Sequence, residues 1–187
     1  DYIGKALQTS DKAVRVAISS GHGSGKSALF SFLISWFMAT RPDANIKATA
    51  NTKTQLQATL WRELALWHKR SLFIDWFDWM ATSYRAKESP ETWVANAIPW
   101  SVNNAEAFAG MHGKHVAVFF DEASAIDDVI WETIEGAFTT GEYKPLFVVA
   151  GNPTRSSGGF YRCFHDRNFG TGSRHRATVP GRDAVRQ

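Results

Sequence analysis

Hydrophobic and polar positions change period several times along the chain, and each change predicts a new element. Val14 to Ile18 alternate as in a short strand, and Lys26 to Ala39 are apolar at helical spacing. A second strand is predicted from Asn45 to Asn51, followed by an amphipathic helix from Thr52 to Lys69. The first part of the chain therefore repeats a strand-then-helix unit.

The pattern continues after a less regular middle segment, 71–105, in which Thr92 to Ser101 predicts a strand or hairpin arm. Val116 to Phe120 is an unbroken apolar run, typical of a strand buried on both faces, and Leu146 to Ala150 is another. A helix is predicted between them, and its apolar positions are Ile130, Ile134 and Phe138. This order predicts an α/β fold with a mainly parallel central sheet flanked by helices on both faces.

The composition fits one folded domain. Of 187 residues, 44% are hydrophobic and 21% charged, which excludes a disordered chain. The single cysteine, Cys163, cannot form an internal disulfide and indicates a reducing compartment. No apolar run approaches the roughly 20 residues of a membrane span. From Arg155 onward the sequence has seven arginines and two acids, typical either of contact with a polyanion or of a solvated tail.

A glycine-rich run separates the first predicted strand from the first long helix. Such a turn lets successive backbone N–H groups converge on phosphates, and the helix N-terminus adds its positive dipole end. A lysine and a hydroxyl at its end can serve the β- and γ-phosphates and Mg²⁺. The strict phosphate-loop pattern is missed by one residue, because Ser20 stands at the first glycine position. The predicted nucleotide-binding residues are Gly21, His22, Gly23, Ser24, Gly25, Lys26 and Ser27.

An acidic pair follows the predicted strand Val116 to Phe120, at the strand end where ligands bind in open α/β sheets. Asp121 is suited to hold Mg²⁺, and Glu122 to orient and deprotonate an attacking water. The adjacent acid favours hydrolysis over phosphoryl transfer to a metabolite. The sequence lacks the Asn-Lys-x-Asp motif of guanine recognition, so ATP is the expected nucleotide.

Polar residues also follow the strand Leu146 to Ala150. Asn152 and Thr154 stand where side chains can sense the γ-phosphate and relay its loss. Taken alone, the segment Gly151 to Thr154 is more typical of a proline-containing turn than of a sensing motif. Its position after the two other motifs favours the sensing role.

These motifs together resemble the large subunit of tailed-bacteriophage terminases, over nearly the whole chain and in matching order. The resemblance implies a P-loop NTPase fold of the ASCE or RecA-like type, with an ATPase domain at 1–173. It also implies that 174–187 begins a linker toward a nuclease domain that is absent from this chain. The segments that carry it are Ser19 to Ser27, Thr49 to Thr52, Phe108 to Gly113, Phe120 to Ser124 and Ala150 to Thr154.

The resemblance implies an ATPase motor that hydrolyses ATP with Mg²⁺ and translocates double-stranded DNA into a procapsid. Lys26 and Ser27 would serve the phosphates and Mg²⁺, and Asp121 would hold the metal. Glu122 would activate water, while Asn152 and Thr154 would couple hydrolysis to movement. The implied partners are DNA, the portal protein and the small terminase subunit, with a ring homo-oligomer when assembled, in the host cytoplasm.

Two positions depart from the family pattern. Many relatives carry an arginine early in the phosphate loop and another before the acidic strand, where this sequence has His22 and His112. Two alternatives follow: another arginine supplies the stabilising cation, with Arg155 and Arg162 as candidates in the same or a neighbouring subunit, or this branch of the family works differently.

Two other functions remain open at this point. A helicase-type P-loop ATPase lobe would normally need a second lobe, for which this chain has no room. A non-hydrolysing nucleotide-binding module, acting only in assembly, would not need Glu122.

Overall fold

A computed structural model describes residues 2–9, 13–108, 111, 113–139, 145–166 and 173–179. Eight strands are present in this part of the chain, and they join in one sheet. They are β1 (Val14–Ser20), β2 (Ala44–Thr49), β3 (Phe77–Trp79), β4 (Ser83–Ala86), β5 (Val94–Ala97), β6 (His115–Phe120), β7 (Leu146–Gly151) and β8 (Ser173–Val179).

The strand order is β3-β4-β5-β2-β6-β7-β1-β8. Neighbouring strands are parallel except in the pairs β3–β4 and β4–β5. The predicted α/β class with a mainly parallel sheet is confirmed. Because β7 lies between β1 and β6, the phosphate-loop strand and the acidic strand are separated by one strand, and their carboxyl ends share one edge.

Helices cover both faces of this sheet. One face packs against α1 (Tyr2–Thr9), α2 (Lys26–Thr40), α3 (Lys53–Leu56) and α4 (Arg62–His68). The other face packs against α5 (Asp128–Thr139) and α6 (Gly159–His165). The β6 side chains alternate between the two layers, with Ala117 and Phe119 in the first and Val118 and Phe120 in the second. This alternation explains the unbroken apolar run in the sequence.

An aromatic cluster fixes the acidic strand against the second helical layer. The Phe120 ring lies 5.1 Å from the Trp131 ring of α5 and 5.0 Å from the Phe147 ring of β7, both edge to face. Such pairs add about 0.5–1.5 kcal/mol each beyond the area that they bury. The last residue of β6 is thereby held rigidly beside the acidic pair that follows it.

The predicted helix from Thr52 to Lys69 is present, but it is not α-helical throughout. Thr52 caps α3, since its hydroxyl accepts a hydrogen bond from the Gln55 N–H at 3.1 Å. A π-helical turn, Gln57–Trp61, then separates α3 from α4. The extra residue of a π turn rotates everything after it, and periodicity in the sequence does not reveal where it lies.

Several elements were not predicted from the sequence: α1, β3, β4, α6 and β8. The predicted arm from Thr92 to Ser101 contains the shorter strand β5. β8 pairs in parallel with β1, from Val14 opposite Ser173 to Ser20 opposite Val179. The sheet therefore extends past residue 173, the predicted end of the ATPase domain. The connection to a further domain stays a prediction, and residues 180–187 lie outside the described residues.

Candidate nucleotide-binding site

The loop between β1 and α2 has the backbone shape that phosphate binding requires. Gly23 and Gly25 have φ angles of 67° and 88°, in the left-handed region that favours glycine. Left-handed residues placed between right-handed ones turn successive N–H groups to one side and form an anion-binding concavity. Gly25 is also the N-cap of α2, so the first turn of that helix points at the same concavity.

Ser20 shows why the missed glycine does not disturb this loop. It is the last residue of β1, and its φ angle is not positive, so no glycine is needed there. Ser20 is buried, with 2% of its surface exposed. Its hydroxyl lies 2.8 Å from the Ser24 hydroxyl, and the Ser24 hydroxyl donates to the Gly21 carbonyl at 3.0 Å. These two hydrogen bonds join Ser24 to the first residues of the loop.

Lys26 lies across the same loop. Its ammonium Nζ donates to the Gly21 carbonyl at 2.8 Å and to the Ser20 carbonyl at 3.3 Å. The ammonium is thus held next to the phosphate concavity, where a phosphate oxygen can replace a carbonyl as its partner.

The acidic pair faces the phosphate loop, as predicted. The Asp121 N–H continues the sheet by donating to the Thr49 carbonyl at 2.8 Å. Asp121 Oδ2 accepts a hydrogen bond from the Ser27 hydroxyl at 3.2 Å. Asp121 is 3% exposed and lines a cavity of about 350 Å³. The cavity is lined by His22, Gly23, Ser24, Gly25, Lys26, Ser27, Ala28, Thr59, Glu63, Asp121 and Glu122.

Burial, and then the negative charge of Glu122, raises the pKa of Asp121 to about 6. Hydrogen bonds from Ser27 and from the Glu122 N–H act in the opposite direction and do not cancel the burial. At neutral pH the site therefore holds a buried carboxylate that lacks full compensation for its charge. A cation in the cavity would supply that compensation.

Replacing Asp121 by Asn is expected to stabilise the metal-free protein at pH 8 by about 3 kcal/mol. Because the folded state binds the Asp121 proton more tightly than the unfolded state, the native chain loses stability as the pH rises from about 4 toward about 6. The gain in Asp121→Asn should therefore be present above pH 6 and absent at pH 4. Denaturant unfolding in EDTA measures it, with the exposed Asp75→Asn as control. An equal gain at both pH values would contradict the charge argument.

Glu122 has an unusual backbone conformation. Its φ and ψ angles are 56° and 40°, the left-handed region that costs a non-glycine residue of order 1 kcal/mol. The Glu122 N–H donates to Asp121 Oδ1 at 3.1 Å, which supports the turn. The chain bends sharply here, so that both Asp121 and Glu122 line the cavity.

The third motif reaches the site only indirectly. The Asn152 amide Nδ2 lies 3.1 Å from Nε2 of His22, at the exposed side of the phosphate loop. The Thr154 hydroxyl donates to the Ser124 hydroxyl at 3.2 Å, beyond the acidic pair. Neither Asn152 nor Thr154 lines the cavity. They link β7 to the two walls of the site, and their binding and coupling roles stay predictions.

Gly151, the last residue of β7, lets this strand lie close to the turn that follows the acidic pair. A Cβ built on it would lie 3.1 Å from the backbone nitrogen of Ala123 and 3.2 Å from that of Ser124. The end of β7 is therefore packed directly against the turn that follows the acidic pair.

Three residues of the cavity were missed in the sequence, and one of them, Ala28, simply continues the first turn of α2. The other two are Thr59 and Glu63. Both come from the helical segment after β2, Thr59 from the π turn and Glu63 from α4. Their four-residue spacing indicates a shared helix face, but nothing in the sequence connects that face to the phosphate loop.

The candidate arginines do not line the cavity. Arg162 Nη1 contacts Asp128 Oδ2 at 2.8 Å, and this contact holds the pKa of the Asp128 carboxyl below its ordinary value. Arg155 is exposed in the segment after Thr154. His112 lies outside the described residues. The source of the stabilising cation stays a prediction.

The residues present fit Mg²⁺ held together with a nucleotide. Within the described ranges, no group of three or more histidine, cysteine or acidic side chains could hold a metal ion by itself. Mg²⁺ is usually bound by one or two carboxylates plus phosphate oxygens and waters, not by an all-protein cage. The Ser27 hydroxyl beside the buried Asp121 carboxylate is such a partial site.

Comparisons with known proteins agree with the motifs. No family model matches the chain. Over 157 residues, the chain is 29% identical to a protein of Enterobacteria phage P7 named "Probable terminase, large subunit". This chain is thus similar to one part of that protein. The alignment covers 80% of this chain and 31% of that relative, so the chain spans less than a third of its length.

Solved structures of large terminases have the same fold. The large terminase ATPase domain of Thermus phage P74-26 matches with a TM-score of 0.61 at 18% identity, covering 97% of this chain and 80% of that domain. A large terminase of a thermophilic bacteriophage, solved in complex with ADP, matches with a TM-score of 0.58 at 15% identity. That match covers 93% of this chain and 40% of the other.

The predicted resemblance to the large terminases is thus confirmed. Among the residues that the structure describes, no helix combines the length and apolar character needed to cross a bilayer.

Proposed function

We propose that this chain is the ATPase motor domain of a phage large terminase, and that it hydrolyses ATP with Mg²⁺ to translocate double-stranded DNA into a procapsid. The contact between Ser27 and Asp121 carries the proposal, because it brings the phosphate loop and the acidic strand to one cavity. The relationship to large terminases, one of them solved with ADP, supports the nucleotide and the motor role.

The chain's own residues would divide the work at this cavity. The N–H groups around Gly23 and Gly25 would bind the phosphates, and Lys26 would exchange a loop carbonyl for a phosphate oxygen. Ser27 and Asp121 would hold Mg²⁺, which, when bound, neutralises charge on the phosphates. Glu122 would accept the proton of the attacking water. Its fixed turn after β6 aims the carboxylate into the cavity, so little reorganisation is needed.

The proposed partners are double-stranded DNA, the portal protein and the small terminase subunit, in the host cytoplasm. A ring of copies is also proposed, because no arginine lines the cavity in the described part of the chain. A neighbouring copy would supply an arginine as the stabilising cation.

Phosphate release by the purified chain tests the proposal. With Mg²⁺ and ATP, release per copy should rise steeply with protein concentration and with added double-stranded DNA, since a neighbour completes the site. EDTA should abolish it. Tight ATP binding without phosphate release under any of these conditions would instead indicate a non-hydrolysing assembly module.

A further inference from the structure

Glu63 lines the same cavity as the phosphate loop and the acidic pair. It belongs to α4 and lines the cavity together with Thr59, one turn earlier. None of the motifs in the sequence includes it. An inference about Glu63 rests on the proposed function, since it concerns the nucleotide's metal.

The π turn determines which way Glu63 faces. One residue inserted into an α-helix rotates all later side chains by about 100° around the axis. The π turn Gln57–Trp61 comes directly before α4, so it changes the direction of the Glu63 side chain relative to the side chains of α3. π turns are rare within α-helices, and those that occur are frequently found at functional sites.

The Glu63 carboxylate is held in place. The Trp67 indole Nε1 donates to Glu63 Oε2 at 3.2 Å. The Trp67 ring packs on Phe32 of α2 with 4.5 Å between centroids, and the Arg70 guanidinium lies 5.5 Å from the same ring. These contacts tie α4 to α2, whose first turn carries Ser27. The carboxylate is therefore positioned relative to the phosphate loop.

A fixed carboxylate facing a triphosphate site is unfavourable unless a cation lies between the two. Glu63, Asp121 and Glu122 do not form a group that could hold a metal together among the described residues. Direct ligation by all three is thus excluded. Mg²⁺ keeps several waters when bound to a nucleotide, and those waters need hydrogen-bond acceptors.

We propose that Glu63 is a positioning residue that accepts hydrogen bonds from the hydration shell of the nucleotide's Mg²⁺. Ser27 and Asp121 would hold the metal, and Glu63 on α4 would accept hydrogen bonds from its waters. The hydrogen bond from the Trp67 indole holds the Glu63 carboxylate in place.

The test compares Glu63→Gln with the native chain in calorimetric binding of a non-hydrolysable ATP analogue, in EDTA and in Mg²⁺. In EDTA the variant should bind the analogue as tightly as the native chain or more tightly, because a repelling charge is gone. The gain in affinity on adding Mg²⁺ should be smaller by about ten-fold or more. Gln keeps an acceptor for Trp67, so the fold is preserved. Glu88→Gln, in the exposed turn after β4, is the matched charge control and should change neither quantity.

Two outcomes would overturn the inference. One is an unchanged gain on adding Mg²⁺ in Glu63→Gln, and the other is an equal loss of affinity in EDTA and in Mg²⁺, which indicates a structural role. Trp67→Phe gives a second test, since it should lower the Mg²⁺ gain in the same direction but by less. If the native chain itself binds the analogue without any Mg²⁺ gain, the proposed function fails, and this result is distinct from a failure at Glu63.

Discussion

Replacing Glu122 by Gln is expected to lower the rate of phosphate release by about a thousand-fold while ATP binding stays intact. The amide cannot accept the proton of the attacking water, yet it preserves the size of the side chain. Asp121, Ser27 and the phosphate loop are unchanged, so the binding surface for the nucleotide persists. Steady-state phosphate release and equilibrium binding of ATP, measured on the same preparation, separate the two effects.

The control for this variant is Glu132→Gln, an exposed carboxylate on α5 outside the cavity. It should leave both measurements at the native value. Equal phosphate release by Glu122→Gln and the native chain would show that Glu122 is not the base. A loss of ATP binding in the variant would show that the turn at Glu122 shapes the nucleotide site itself.

Replacing Lys26 by Ala is expected to weaken ATP binding by about a hundred-fold or more, because hydrogen bonds to charged groups contribute about 1.5–3 kcal/mol each. Lys26 is the lysine among the residues that line the cavity, and its ammonium lies within the phosphate loop. Calorimetric titration with a non-hydrolysable analogue measures the loss.

The matched control is Lys53→Ala, which removes an exposed ammonium at the start of α3. Its affinity for the analogue should equal that of the native chain. An unchanged affinity in Lys26→Ala would refute the assignment of the phosphate loop, whatever the result at Glu122.

The parts of the site that the sequence predicts are those set by a few consecutive residues. Gly23 and Gly25 supply the left-handed positions within one short loop, and Asp121 and Glu122 follow a strand whose burial is visible as an apolar run. A parallel sheet then brings the two strand ends to one edge. These residues can therefore be predicted from a few neighbouring residue types and from the rule that parallel strands place their carboxyl ends at one edge of the sheet.

The remaining features depend on contacts between distant segments. Glu63 lies just after a π turn, and the i→i+5 hydrogen bonding of that turn leaves no signature in the apolar spacing. The contact between His22 and Asn152 joins residues 130 positions apart. Strands β3 and β4 are only three and four residues long, which is too short for alternation to distinguish them from a loop.

The pairing of β8 with β1 has a mechanical consequence. The two strands run in the same direction, and Val179 lies opposite Ser20, the residue that enters the phosphate loop. Strand β8 therefore ends beside the start of the phosphate loop, at the same edge of the sheet. A tensile load along the strand axis there would shear the whole seven-pair ladder at once, and it would reach Ser20 without passing through any helix.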